Sequence, residues 1–491
     1  MKKLAKLVGF DPVAKQTTVK RELVAGTVTF LAMAYILTVN PNQIFGSTAS
    51  PYWSSAFIAT ALGAVVGTLL MAFLAKMPLA QASGMGLNSM LGGIIGGWAG
   101  YAAAFTPGQA FFLVLISGLV FLLLSCVSIK GKTFRELVFD GMPVSVRGAI
   151  SVGIGLFIAY IGFQNAGVIV ANQYTQVALM SLTDWDACKT GVLALIGLFI
   201  ITVLDKLDIK GSVIIGIIAA TIIGIPIGIT DLSVLSGEVP GLSWNFMENF
   251  KNFFTGENTV FGSFTSVFTE GLLPEGVSVF TAVMIIITMC MIDMFDTMGT
   301  IVGCCGGNRI LSDENGKPYN YGKIMLSDSI ATCSGAMIGT STVTTFVESG
   351  AGVSAGGRTG LTALTAAGLF FAAMFAIPVF AVIPSAATAA ALIYVGVLMM
   401  KNNVREIDFK TPIYATSAFL TISIMVLSYS ITNGIGAGLV SYTLMSVVAY
   451  LAGLVKYAIT KKDKPEWDVS AVAIIVTLLF CVYFFVPATL F

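Results

Sequence analysis

Apolar stretches of bilayer length recur along this chain with only short polar connections between them, and that recurrence restricts its fold more than any other feature. They lie at about 22–40, 53–75, 108–128, 145–163, 189–204, 211–229, 278–303, 322–339, 359–383, 384–401, 411–431 and 434–456. Inside lipid every backbone N–H and C=O must be satisfied within the protein, and runs of this length do so as transmembrane helices. Two further stretches, 79–100 and 341–357, are apolar but interrupted by glycine, serine and threonine; counting them gives fourteen crossings. Only 10% of the 491 residues are charged and 56% are hydrophobic, against about 25% charged in a soluble domain. The expected class is an all-α polytopic, multi-pass protein of the cell membrane.

Charge placement tests the count. With the N-terminus in the cytoplasm, all 26 lysines and arginines except Lys189 and Lys251 fall on the cytoplasmic side, as the positive-inside rule requires. Residues 1–21 read as a cytoplasmic leader without the apolar core of a signal peptide. The long loop at 231–275 is placed outside, and its Trp244 and phenylalanines suit the membrane surface. Residues 459–491 form a cytoplasmic linker and an extra apolar segment, VSAVAIIVTLLFCVYFFVPATLF, either a fifteenth crossing or an interfacial helix.

Several functions are disfavoured. A net charge of +1 argues against nucleic acid. The seven cysteines sit mostly in apolar runs, the adjacent Cys304 and Cys305 do not make a metal site, and no cofactor is expected. GAGVSAG at 350–356 lacks the strand–helix context of a dinucleotide site, and GKT at 131–133 has Cys126 where a phosphate-binding loop needs glycine, so an ion gradient is the remaining energy source. No nucleophile and base constellation suggests an enzyme. Histidine is absent, which leaves proton chemistry to carboxylates.

Fourteen crossings divide into seven plus seven, and the glycine-rich segments are then the third of each half, LAQASGMGLNSMLGGIIGG and GTSTVTTFVESGAGVSAGGRTG. Interrupted segments at matching positions point to a transporter site on inverted repeats. Each break carries one hydrogen-bonding side chain, Asn88 and Glu348. The eighth segment adds MCMIDMFDTMGT, where Asp293 and Asp296 are the only charges between Glu275 and Arg309. An acid at that depth costs at least ~2.5 kcal/mol, and such acids are functional by default. Asp293, Asp296, Asn88 and Glu348 therefore converge on one midplane site. Asn88 also suits a structural bond between helices, Asp296 suits either a ligand-facing or a structural role, and Asp328, near a membrane edge, supports the fold. An anion exchanger or another solute transporter on a similar fold is the rival reading, although an exchanger should carry lysine or arginine at the breaks rather than Glu348.

The sequences FLAMAYILTVNP (30–41), SGMGLNSM (83–90), DMFDTMGTIVG (293–303) and GTSTVTTFVESGAGVSAGGRTGLTAL (339–364) resemble the AzgA-like branch of the nucleobase-ascorbate (NCS2) transporters. The resemblance implies proton-coupled uptake of a purine base, adenine, guanine or hypoxanthine, by alternating access. It implies a core domain (22–130 and 276–383) moving against a gate domain (131–230 and 384–458), with a homodimer through the gate. It assigns Gly86, Asn88, Asp293, Val347, Glu348 and Ser349 to the base, and Asp293, Asp296 and Glu348 to proton coupling. Ser83 and Ser89 depart from the proline and alanine usual in that motif. A carboxyl, an amide and exposed backbone match the in-plane donors and acceptors of a purine, and Asp293 and Glu348 are expected to divide base recognition and proton binding.

Overall fold

A computed structural model describes residues 2–97, 103–129, 132–133, 141–209, 211–236, 244–305, 308–312, 318–461 and 465–485. Among them, nine helical stretches are long and apolar enough to span a bilayer, and four shorter apolar helices accompany them. Each expected crossing coincides with a helix or a broken helix. Local chemistry sets the ends. Thr106, Pro107 and Gln109 form a capping box at the start of Pro107–Cys126, and Asp184 caps Trp185–Lys206 by accepting from the N–H groups of Asp186 and Ala187. The first segment breaks at Ala34 and Tyr35 between helices Val19–Met33 and Ile36–Phe45.

The third and tenth segments take the interrupted form that their sequences demand. Each is a short strand followed by a half-helix: Gln81–Ser83 then Met85–Gly96, and Val343–Thr345 then Ser349–Ser354. The strands pair antiparallel, with Gln81 opposite Thr345, Ala82 opposite Thr344 and Ser83 opposite Val343, and every residue of both is buried. Each strand thus supplies the other's backbone partners, which is how non-helical chain is tolerated at membrane depth. The antiparallel register joins the two halves of the chain at equivalent positions.

The remaining helices pack in two groups. In one, Val19–Met33, Trp53–Leu70, Pro107–Cys126, Tyr321–Ile338 and Gly360–Ala373 surround the paired strands. In the other, Val144–Asn165, Trp185–Lys206, Ser212–Ile227, Ser385–Asn403, Pro412–Leu427 and Ile431–Thr460 pack on one another. The second group is held by close backbone approach: a Cβ on Gly396 would lie 2.4 Å from the carbonyl oxygen of Gly155, the small-residue contact typical of membrane helices.

The loop expected at the membrane surface contains helix Phe246–Thr255, whose Phe246 ring packs tilted against that of Phe375 in the eleventh segment, with centroids 4.0 Å apart. The extra C-terminal segment is helix Ala471–Phe485, laid along Ile431–Thr460 with the hydroxyls of Thr443 and Thr477 2.7 Å apart. Asp328 is fully buried, accepting from Thr297 at 2.9 Å and from Gln81 at 3.1 Å. It braces the strand pair.

Candidate functional site

The half-helix Met85–Gly96 begins at Gly84, whose N–H is bonded to Thr342 across the strand pair. Its first internal bond is from Asn88 N–H to the Gly84 carbonyl, so the N–H groups of Met85, Gly86 and Leu87 have no intrahelical acceptor and form the positive end of the helix. The facing half-helix differs. Ser349, Gly350 and Ala351 bond back to Phe346, Val347 and Glu348, which closes its first turn.

Between these ends lies a small cavity of about 30 Å³. Gly86, Asp296, Thr345, Val347 and Glu348 line it from the strand-centred group, and Ile158, Val395 and Met399 from the second group. Among the described residues no lysine or arginine lines it. Glu348 Oε1 accepts from the Tyr35 hydroxyl at 2.5 Å, while Oε2 is buried and, among the described residues, accepts from no protein donor. Asp296 Oδ2 accepts from Thr344 at 3.5 Å. Two carboxyl groups and one helix N-terminus therefore meet without a cation between them.

Of the residues expected at the site, Gly86, Asp296, Val347 and Glu348 are brought together. The other three face inward to the fold. Asn88 is fully buried, and its amide oxygen accepts from the hydroxyls of Ser83 and Ser341, one from each half of the chain. Asp293 is also buried, and its Oδ2 accepts from Thr332 at 3.2 Å. The Ser349 hydroxyl accepts from the Ala80 N–H at 3.0 Å and donates to the Ala80 carbonyl at 3.3 Å. Sequence reading missed Tyr35. It lies inside FLAMAYILTVNP, where it looks like one more core aromatic, and its placement at the break of the first segment is what aims its hydroxyl at Glu348.

The cavity sits between two larger spaces that also separate the groups. One, of about 630 Å³, opens at the face expected to be outside, where Ile36–Phe45 and Val144–Asn165 end. The other, of about 230 Å³, lies toward the opposite face and is lined by Asp205, Tyr394 and Asn402 together with Glu348. Among the described residues no cluster of cysteine and carboxylate groups is placed to hold a metal ion.

A pair of inverted seven-segment repeats, meeting through paired strands around an acidic cavity, defines a membrane permease. The chain belongs to the Permease family, whose Xan_ur_permease model matches residues 20–462, the nucleobase-ascorbate (NCS2) transporters. It is 34% identical to the guanine/hypoxanthine permease PbuO of Bacillus subtilis, over 96% of this chain and 98% of that one. It is 35% identical to the adenine permease AdeQ of Escherichia coli, over 88% of each. Its fold is similar to that of the transmembrane domain of the cyanobacterial bicarbonate transporter BicA, with a TM-score of 0.56 at 16% identity over 85% of this chain and 97% of that one. SLC26A9 gives 0.57 at 12% identity, over 92% and 70%.

Proposed function

We propose that this permease takes up purine nucleobases, adenine, guanine or hypoxanthine, in symport with protons and by alternating access. The observation that carries the reading is the cavity in which Asp296 and Glu348 face a helix N-terminus with no basic side chain among the described residues beside them. A neutral planar base offers N–H donors to the carboxyls and acceptors to the N–H groups of Gly86 and its neighbours. An inorganic anion would meet two acids and no cation, which disfavours the exchanger reading. The relatives' substrates support the same choice.

A carboxyl whose surroundings differ between the outward-open and inward-open arrangements can take up a proton outside with the base and release it inside. Glu348, reached from both the cavity and the inner space, is the proton carrier in this scheme, and Asp296 is the principal base contact. Asp293, Asn88 and Ser349 hold the strand pair and half-helices in place. The strand-centred group, residues 22–130 and 276–383, acts as the core domain, and residues 131–230 and 384–458 act as the gate. A cavity of about 30 Å³ holds about one water rather than a base, so loading requires core and gate to part. Two copies associate through the gate.

Proteoliposomes carrying the purified chain test this. Labelled purine should accumulate inside under an inward proton gradient without sodium, and a protonophore should abolish accumulation. Equal accumulation with the gradient collapsed, or transport of bicarbonate or sulfate with no purine, would overturn the reading.

A further inference from the structure

The outer space of about 630 Å³ has a lining quite unlike that of the acidic cavity. Two amide pairs line it. Asn42 and Gln43 come from the helix that follows the break at Tyr35, and Gln164 and Asn165 from the end of Val144–Asn165. Among the described residues no charged side chain lines it.

The two amides on the core side are held in fixed orientations. Trp53 Nε1 donates to Asn42 Oδ1 at 2.6 Å, and Asn42 Nδ2 donates to Thr388 at 3.4 Å. Gln43 Nε2 donates to the Ser89 hydroxyl at 2.8 Å, and that hydroxyl donates to the Met85 carbonyl at 3.1 Å. With Nε2 anchored, Gln43 Oε1 stays buried in a residue that is 8% exposed, with almost no surface open to the space, and among the described residues it accepts from no protein donor; a ring N–H reaches it once the side chain turns outward. A buried carbonyl left so costs about 1–3 kcal/mol, which a donor on a ligand would restore.

Tyr429 supplies an aromatic face from the gate side. It adopts φ +52°, the left-handed region that a residue with a Cβ seldom occupies, and its ring is buttressed by Phe157 at 5.4 Å and Tyr160 at 5.8 Å. Side-chain amides pair with the donor and acceptor edge of a heterocycle, and aromatic rings stack on its face. A neutral, flat molecule with ring N–H groups satisfies both.

We propose that this outer space is a second nucleobase site, filled before the central one, in which Gln43 Oε1 accepts a ring N–H and Tyr429 provides the stacking face. The proposal rests on the nucleobase reading above. Ser89, which anchors Gln43, lies on the same half-helix as Gly86, so a base held at Gln43 bears directly on the helix whose N-terminus faces the central cavity.

Equilibrium dialysis of labelled adenine, guanine and hypoxanthine against the purified full chain in lipid nanodiscs, up to millimolar base, counts the sites. The expected result is two equivalents of one of these bases per chain. Gln43→Leu and Tyr429→Ala, in separate domains, should each retain one, and Gln43→Leu combined with Asp296→Asn none. One equivalent in the unaltered chain, lost in Asp296→Asn and untouched by Gln43→Leu, would overturn the second site and leave the nucleobase reading standing. Two equivalents retained by Tyr429→Ala would overturn it as well. No binding of any of the three bases would instead overturn the nucleobase reading itself.

Discussion

Replacing Asn88 by alanine separates two roles that its sequence position allows. The side chain is fully buried between the half-helix that bears it and the strand-bearing segment of the other repeat. Its oxygen accepts from Ser83 at 2.8 Å and from Ser341. The Ser83 hydroxyl also lies 2.7 Å from that of Ser341 and 3.0 Å from that of Thr340, so truncation loosens one connected network rather than a single bond. Two accepted bonds at about 1 kcal/mol each set a destabilisation of roughly 2 kcal/mol, and hydroxyls that turn to each other recover part of it. The expected result is a melting temperature in detergent lower by a few degrees, with KM for the base changed by less than about threefold. A double-mutant cycle with Ser341→Ala should show coupling of about 1 kcal/mol, since residues of one network are not additive. An unaltered melting temperature with a tenfold rise in KM would refute the structural role and place Asn88 on the base.

Tyr35→Phe removes the donor to Glu348 Oε1; a hydrogen bond to a neutral partner is worth about 0.5–1.5 kcal/mol, so uptake should fall several-fold, and an unchanged rate would dissociate Tyr35 from the site. In equilibrium dialysis Asp296→Asn should remove the base from the central site, leaving one of the two equivalents bound, whereas Asp293→Asn should retain both and lose stability through its bond with Thr332; the reverse pattern would exchange their roles. On a cysteine-free background, Gln164→Cys should react with a small polar thiol reagent added from outside, because Gln164 lines the outer space and is only partly buried, and Ser349→Cys, buried against Ala80, should not. Equal labelling of both would contradict the packing of the tenth segment.

The crossings were legible because length and polarity suffice for a helix in lipid, and their ends were legible within a few residues because caps such as Thr106 with Pro107 are local. The expected fourteenth segment, 434–456, proves longer, reaching from Ile431 to Thr460, since Tyr457 and Lys456 continue a helix into the polar region where apolarity no longer marks it. The strand pair was legible only as two breaks. Three-residue strands buried on both faces show no alternation, and their pairing joins residues more than 250 positions apart, Ala82 with Thr344 among them.

The site divides along the same physical line. A spacing of three places Asp293 and Asp296 about 60° apart around one helix, so the sequence says that the two acids flank an edge but not which flank meets a cavity. That choice depends on how the eighth segment is rotated against the ninth, whose Thr332 takes Asp293, and against the second group, whose Ile158, Val395 and Met399 close the space beside Asp296. Four buried-layer acids are thereby sorted by their neighbours. Asp328 and Asp293 are bonded by hydroxyl and amide donors from within their own domain, and such donors accommodate a polar group in a dry interior without leaving it free to exchange partners. Asp296 and Glu348 border a space that lies between domains. In the proposed cycle, where core and gate separate, only the second pair would change its surroundings, and a carboxyl whose surroundings change is the one that could couple the movement of a proton to that of a base.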